Sequence, residues 1–317
     1  MRMSTEMAIN VGDWESLKAA VDTGAQRFGN ALGIAATPIE PLELRRFAKP
    51  TGVMGVVFEP ILSIILQGKK FVTAGSAEHA VEAGQCLIAR VDLPTVVKVF
   101  DASADRPYLA MSVKLDLKVL RALVDELPPA PLQPGINPDA ALLVDELGQP
   151  VVQCCRRLVD LLEYPDAAPY LTEGIVREIH YWLLAGRHGG ALRSLAAVEG
   201  NFDRIQRAIA LLRKDFSRSI AIDEVANHVG MSRSTLHQHF KAFTAMSPLQ
   251  FQKQLRLLAA RRMMLTEGAK PTQAAFDVGY ESISQFTREY ARMFGEPPRR
   301  DVVEHSRQHG AGIKAAI

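Results

Sequence analysis

Two sets of polar side chains recur at helical spacing in the last third of the chain. Over 233–241, Ser234, His237, Gln238 and Lys241 share one face at about 100° per residue, with Leu236 and Phe240 opposite. Over 283–291, Ser284, Thr287, Arg288 and Ala291 lie opposite Ile283, Phe286 and Tyr290, with Gln285 at the edge. Hydroxyl, amide, imidazole, ammonium and guanidinium groups on an exposed helix face suit hydrogen bonding to base edges and phosphates. The alternative is a pair of ordinary helical hairpins with solvated polar faces. Catalytic constellations are missing: there is no Ser-His-Asp set, phosphate loop or paired-carboxylate site. His237 and His239 stand at i, i+2, on different helix faces, and make a poor chelate. His79 is isolated within Glu78-His79-Ala80.

Each polar face needs an element that presents it, and the preceding residues supply one twice. Asp223 to Ser232 and Thr272 to Ser282 each read as helix, tight turn, helix start. Ala226 precedes Gly230 by four residues and Ala275 precedes Gly279 by four. The small residue lets two helices approach, and the glycine tolerates positive φ at the turn. Ser232 and Ser282 are the expected N-caps, with Gln285 completing a capping box on Ser282. Ser247-Pro248 opens a long connecting helix whose apolar stripe is Phe251, Leu255, Leu258 and Ala259. Its Arg256, Arg261 and Arg262 are expected to be solvated, with phosphate contact the alternative.

A chain of 317 residues allows about two domains, and 48% hydrophobic with 23% charged residues describes a globular protein. Met1 to Glu15 lacks the apolar core of a signal peptide, and no uncharged run reaches the ~18 residues of a membrane span. Three cysteines, Cys86, Cys154 and Cys155, make a poor disulfide framework, so a reducing cytoplasm is expected. The net charge of +2 hides an asymmetry. Residues 201–317 carry 18 Lys and Arg against 11 Asp and Glu, and residues 1–200 carry 19 against 24. A basic C-terminal module beside an acidic N-terminal one fits a nucleic-acid binder with a separate regulatory part.

In chain order, Trp14, Leu17, Val21 and Phe28 mark a leading helix ended by Gly33. Strands are expected over 53–58, 61–66, 69–73, 86–90, 95–100 and 108–114, with Gln67-Gly68 as a hairpin turn, giving a small β-barrel or sandwich. Asp116 caps a helix that runs to Leu127 and stops at Pro128-Pro129. After a Pro/Gly-rich stretch, 128–138, the pattern from Asp139 on turns helical, including Leu142. Gly189-Gly190 marks a hinge-like turn, 198–201 a linker, and Ile205, Ile209 and Leu212 a first helix of the basic module. Cys86 sits in an apolar strand as a small core hydrophobe; the alternative is a thiol that detects electrophiles or oxidants.

Residues from about 202 to 301 resemble the DNA-binding domain of the AraC/XylS transcription regulators. The carriers are Ala226, Gly230-Met231-Ser232, Leu236, Phe240-Lys241, Ser247-Pro248, Leu255-Arg256-Leu257, Ala260-Arg261, Ala275, Val278-Gly279-Tyr280-Glu281-Ser282, Gln285-Phe286, Arg288-Glu289-Tyr290 and Phe294-Gly295-Glu296-Pro297-Pro298. Ala221 stands where that family tends to have Ser or Thr, and Ala245 where it has Gly. The N-terminal half resembles the cupin-like sensor domain of one AraC-type subgroup, through Glu59-Pro60, Leu66-Gln67-Gly68-Lys69-Lys70, Val91-Asp92-Leu93-Pro94, Pro107-Tyr108-Leu109 and Leu115-Asp116.

The resemblance implies an α+β protein: a cupin-like barrel with flanking helices, then an all-α domain with two helix-turn-helix motifs joined by a long helix. The expected division is a sensor domain over 1–130, a helical linker or dimerisation segment over 131–198, the DNA-binding domain over 199–305 and a tail over 306–317. Family contact positions, together with the faces above, assign base readout to Ser234, His237, Gln238, Ser284, Gln285 and Arg288. Arg233, Lys241 and Thr287 are assigned to phosphate. The implied partners are double-stranded DNA, an unidentified small-molecule effector, RNA polymerase and a second copy of the chain, acting as an activator with no cofactor. The competing class is a cupin metalloenzyme fused to a DNA-binding domain, although the usual histidine cluster is missing.

Overall fold

The computed structural model describes residues 9–128, 137, 140–196 and 200–309, with side chains as far as 305. The leading helix, α1 (Val11–Phe28), buries Leu17, Val21, Gly24 and Ala25. It ends at Gly29, four residues before Gly33. Asn30 is the reason: its Oδ1 accepts from the Leu32 and Ile34 amides at 2.9 and 3.2 Å and turns the chain early.

Ten strands follow: β1 (Ile34–Ala36), β2 (Leu42–Phe47), β3 (Met54–Phe58), β4 (Ile61–Gln67), β5 (Lys69–Ala74), β6 (Ala77–Glu82), β7 (Gln85–Ala89), β8 (Leu93–Val99), β9 (Tyr108–Lys114) and β10 (Leu142–Glu146). They form a six-stranded sheet, β1-β2-β9-β4-β7-β10, and a four-stranded sheet, β3-β8-β5-β6. The sheets meet across a shared core, where Lys70 on β5 donates to Ser63 on β4.

The expected hairpin at Gln67-Gly68 is not formed. β4 pairs with β7 and β9, while β5 pairs with β6 and β8, so this corner carries the chain from one sheet to the other. Gly68 sits at φ +84°, and a Cβ there would lie 2.4 Å from the Asp101 carbonyl oxygen. β1, β2, β6 and β10 were not anticipated. Leu142, expected on a helix, lies on β10, an edge strand paired antiparallel with β7.

α2 (Leu117–Glu126) begins at Asp116, whose Oδ1 accepts from the Lys118 and Val119 amides, and ends at Leu127 as the sequence indicates. The Pro/Gly-rich stretch that follows lies outside the described residues except for 128 and 137. α3 (Gln149–Asp160) packs on α1 and on α4 (Ala168–Ala185), and α2 packs on α4 and α5 (Gly189–Ala196). Gly189-Gly190 is therefore no free hinge. It opens α5, where a Cβ on Gly189 would lie 1.9 Å from the Leu184 carbonyl oxygen.

The remaining helices are α6 (Asn201–Lys214), α7 (Ile222–His228), α8 (Arg233–Thr244), α9 (Pro248–Thr266), α10 (Pro271–Asp277), α11 (Ile283–Phe294) and α12 (Pro298–His309). The first half of α9, through Phe251 and Leu255, shares a core with Val225, Leu236 and Phe240. Its second half joins Ala274, Ala275, Phe286, Tyr290 and Phe294. Packed on both sides, α9 buries more than the expected stripe: Gln252, Leu257, Ala260, Arg261 and Met264 are also covered.

Candidate nucleic-acid interface

The two turns form as the glycines require, with Gly230 at φ +64° and Gly279 at φ +89°. Ser232 Oγ accepts from the Thr235 amide at 3.1 Å, and Ser282 Oγ from the Gln285 amide at 3.3 Å. Each serine satisfies a donor that a helix start leaves free and sets the direction of the second helix. The full capping box expected at Ser282 is only half present. Gln285 Nε2 donates instead to Glu289 Oε1 at 3.1 Å. A complete box occurs at Ser247 with Gln250, starting α9. At Ala221 no side chain caps α7.

α8 turns Leu236, Phe240 and Phe243 inward and leaves Arg233, Ser234, Gln238 and Lys241 exposed, with His237 half-buried. α11 turns Phe286, Tyr290 and Phe294 inward; Ser284 and Arg288 are exposed, Gln285 and Thr287 half-buried. All nine candidates thus lie on two second helices, away from the aromatic cores. Some carry local bonds. Ser234 Oγ meets Ser232 Oγ at 3.0 Å, and Arg233 lies 4.0 Å from Asp223. Gln285 is tied to Glu289, which also receives Lys253 Nζ at 2.7 Å and the Tyr280 hydroxyl at 2.8 Å.

One exposed cation was missed: Arg292 continues the row Ser284, Arg288 by one more helical turn. The i, i+4 spacing from Arg288 was the available signal. Arg299 and Arg300, exposed on the first turn of α12, are further cations that no face pattern indicated.

Two arginines of α9 are neither solvated nor free for phosphate. Arg256 donates to the carbonyl oxygens of Phe216 (2.7 Å), Ser217 (3.2 Å), Arg218 (2.9 Å) and Gly279 (2.8 Å). It ties the loop before α7 to the second turn. Gly279 packs so closely there that a Cβ would lie 1.9 Å from the Ser217 carbonyl oxygen. Arg261 is buried on Asp301, with Phe294 under its guanidinium at 4.8 Å. Arg262 is exposed and pairs with Glu267 at 3.2 Å. The two helix-turn-helix units are therefore bolted together at a fixed offset. α9, with 19 residues, spans about 28 Å.

The sheets reach the far ends of both second helices. The Ala141 amide donates to the Phe243 carbonyl at 2.8 Å, at the end of α8. Gly55 on β3 faces Leu258 of α9 and Phe294 of α11, and its Cβ would lie 2.3 Å and 3.0 Å from them. Arg213 of α6 bonds to Glu59 at 3.0 Å and also to Asp92, and its hydrogen bond holds the Glu59 carboxyl below the usual range. Glu59 and Asp92 belong to the motifs that carry the N-terminal resemblance.

Cys86 is buried on β7, and burial pushes its thiol up to about 12, so the thiolate is disfavoured at neutral pH. Among the described residues no group of three or more His, Cys, Asp or Glu is placed to hold a metal ion, and no helix is long and apolar enough to cross a membrane.

Residues 38–191 match the family model of the AraC-type transcriptional regulator N-terminus, and residues 225–301 match that of a helix-turn-helix domain. The chain is 30% identical over 156 residues to the HTH-type transcriptional activator RhaS of Escherichia fergusonii, covering 48% of this chain and 55% of RhaS. It is 31% identical over 114 residues to the HTH-type transcriptional regulator ArgR of Pseudomonas aeruginosa, covering 36% of this chain and 34% of ArgR. The matches thus span about half the length of these relatives or less. Among solved structures, ToxT of Vibrio cholerae bound to an unsaturated fatty acid aligns with a TM-score of 0.54 at 11% identity, covering 82% of this chain and 94% of ToxT. A second ToxT structure aligns at 0.52 and 11%, covering 86% and 98%. That likeness concerns the fold alone. With a regulator N-terminus and a helix-turn-helix domain matched in order along one chain, the protein belongs to the AraC-type transcriptional regulators.

Proposed function

We propose that this chain is a sequence-specific transcription activator whose N-terminal sheets sense a small effector and bias DNA binding by the helical half. The observation that carries the DNA reading is the pair of exposed polar faces on α8 and α11, held at a fixed offset by α9 and the Arg256 clamp. Ser234, His237, Gln238, Ser284 and Arg288 read base edges, with Gln285 at the margin because it also holds Glu289. Arg233, Lys241 and Thr287 hold phosphates, and RNA polymerase is the downstream partner. A helix pair of this kind places each second helix in a major groove, with sites about one helical turn, ~34 Å, apart.

The effector reading rests on the contact surface between the halves. The barrel touches the C-terminal ends of both reading helices, at Phe243 and Phe294, and holds α6 through Arg213. A ligand that shifts the sheets would move the two probes together, as one unit, and so change their access to DNA without changing their spacing. ToxT, which shares the fold, has been crystallised with a fatty acid bound, in keeping with a ligand-binding N-terminal half here.

The test is Arg288→Ala against bases varied one position at a time. A bidentate Arg–guanine contact gives a loss of about 1–3 kcal/mol on the preferred sequence and relaxed preference at one position. An equal loss on all sequences would remove the base-reading role.

A further inference from the structure

Within the sheets, one side chain is at odds with its surroundings. Lys70, from the run Leu66-Gln67-Gly68-Lys69-Lys70, alternates with Val72 and Ala74 on the buried row of β5 and is 1% exposed. It registers against Val81 on β6 and Val99 on β8, both buried and apolar. Its Nζ donates to Ser63 Oγ at 2.9 Å, and the Ser112 hydroxyl donates to that same oxygen at 3.3 Å. The Phe58 ring stands 5.9 Å from Nζ.

No carboxylate lies within ion-pair distance of Lys70 among the described residues. The charged groups that act on it, Glu43 and Arg45 on β2, are paired with each other at 2.6 Å. An ammonium has three donors and one charge to neutralise, and its surroundings answer with a single hydroxyl acceptor. Burial accordingly pushes the amine down to about 7. A methionine would occupy the same space without that cost. Lysine, then, is not there for packing.

We propose that Lys70, Ser63 and Ser112 form the polar end of the effector site and that the effector is a small molecule bearing a carboxylate. One carboxylate oxygen accepts from Nζ, the other from the two hydroxyls, and the apolar remainder lies along the valines of β5, β6 and β8. The ligand supplies the missing counter-charge, so the amine takes up a proton from solvent when it binds. This assignment rests on the reading of the N-terminal half as an effector domain.

The full chain is titrated at pH 8 by calorimetry, in two buffers of different ionisation enthalpy, with butyrate, octanoate, benzoate and phenylacetate and with the amide of each. DNA affinity is measured with and without every compound. The expected result is that at least one carboxylate binds, with uptake approaching one proton. Its amide binds at least tenfold more weakly. Lys70→Met, which keeps the volume and removes a buried amine, loses the carboxylate at least tenfold and keeps its DNA affinity.

Carboxylate binding that is unchanged in Lys70→Met, or no carboxylate binding at all, overturns the assignment. A neutral compound that alters DNA affinity equally in both proteins also overturns it, while leaving the effector domain standing. A carboxylate that binds through Lys70 without changing DNA affinity keeps the site but removes the effector reading on which it was built.

Discussion

Arg261→Met separates a structural arginine from a DNA-contacting one. Arg261 Nε and Nη2 donate to Asp301 Oδ2 and Oδ1 at 2.8 and 3.0 Å, with side chains only 9% and 12% exposed. The Tyr290 hydroxyl donates to Asp301 Oδ2 at 2.7 Å. Burial pushes the Asp301 carboxyl up, but the bonds and charge of Arg261, with the Tyr290 bond, win and hold it below the usual range.

Arg261→Met strands Asp301 with one tyrosine donor, which costs about 3–5 kcal/mol. Arg261→Met with Asp301→Leu removes both charges and recovers part of that loss. The rest is the orphaned Tyr290 hydroxyl, about 1–3 kcal/mol, which a third change, Tyr290→Phe, removes. The assay is urea unfolding of the full chain at pH 7. The pH dependence has a definite sign. Asp301 is depressed, so its contribution is present above the unfolded carboxyl value, ~3.9, and is lost as pH falls through the lower folded value. Arg261→Met therefore weakens the acid limb of the stability curve. A change below about 1 kcal/mol, with a salt slope of DNA affinity reduced by ~1, would make Arg261 a phosphate contact and refute the reasoning.

Other changes follow from the same geometry. Ala245 holds φ +58° at the end of α8, so Ala245→Gly raises stability by up to about 1 kcal/mol in thermal unfolding; a loss would mean that the methyl packs better than its backbone costs. Lys70, lowered to about 7 from 10.5, leaves the unfolded chain binding more protons across that window, so stability relative to Lys70→Met rises by about 1.4 kcal/mol per pH unit between pH 8 and 10. A difference independent of pH would put the amine in water. Arg213→Ala frees Asp92 and leaves Glu59 paired only with Lys114, at 3.7 Å, and the expected outcome is faster amide hydrogen exchange over β3 and α6 with DNA affinity less responsive to effector; unchanged exchange would show that the Arg213 pairs hold nothing.

Local chemistry was legible and partner choice was not. The glycine turns, the serine caps and Asp116 could be read because each acts within four residues of itself. β3, β4, β5, β7, β8 and β9 were found within a residue or two, yet the corner at Gly68 was taken for a hairpin, since pairing depends on residues 40 positions away, such as Pro107, whose carbonyl accepts from Gln67. β10 was missed for the same reason: an edge strand is made by its neighbour, here β7. The faces of α8 and α11 emerged correctly from the period of 3.6. Arg256 and Arg261 did not, because a helix packed on two sides keeps only a narrow solvent face, which Arg262 occupies, and these two point into the packing instead. Gln285 was read as a cap and a base reader, and its bond to Glu289 shows why one residue type at one spacing serves several uses.

The most direct test of the account is to select bound fragments from random duplex DNA with the purified full chain at moderate salt, then footprint the selected sequences. Two probes bolted along α9 predict two short preferred patches, about one helical turn (10–10.5 base pairs) apart on one side of the duplex, with Arg288→Ala blurring only one of them. A single patch, two patches at variable spacing, or no preference at all would contradict it.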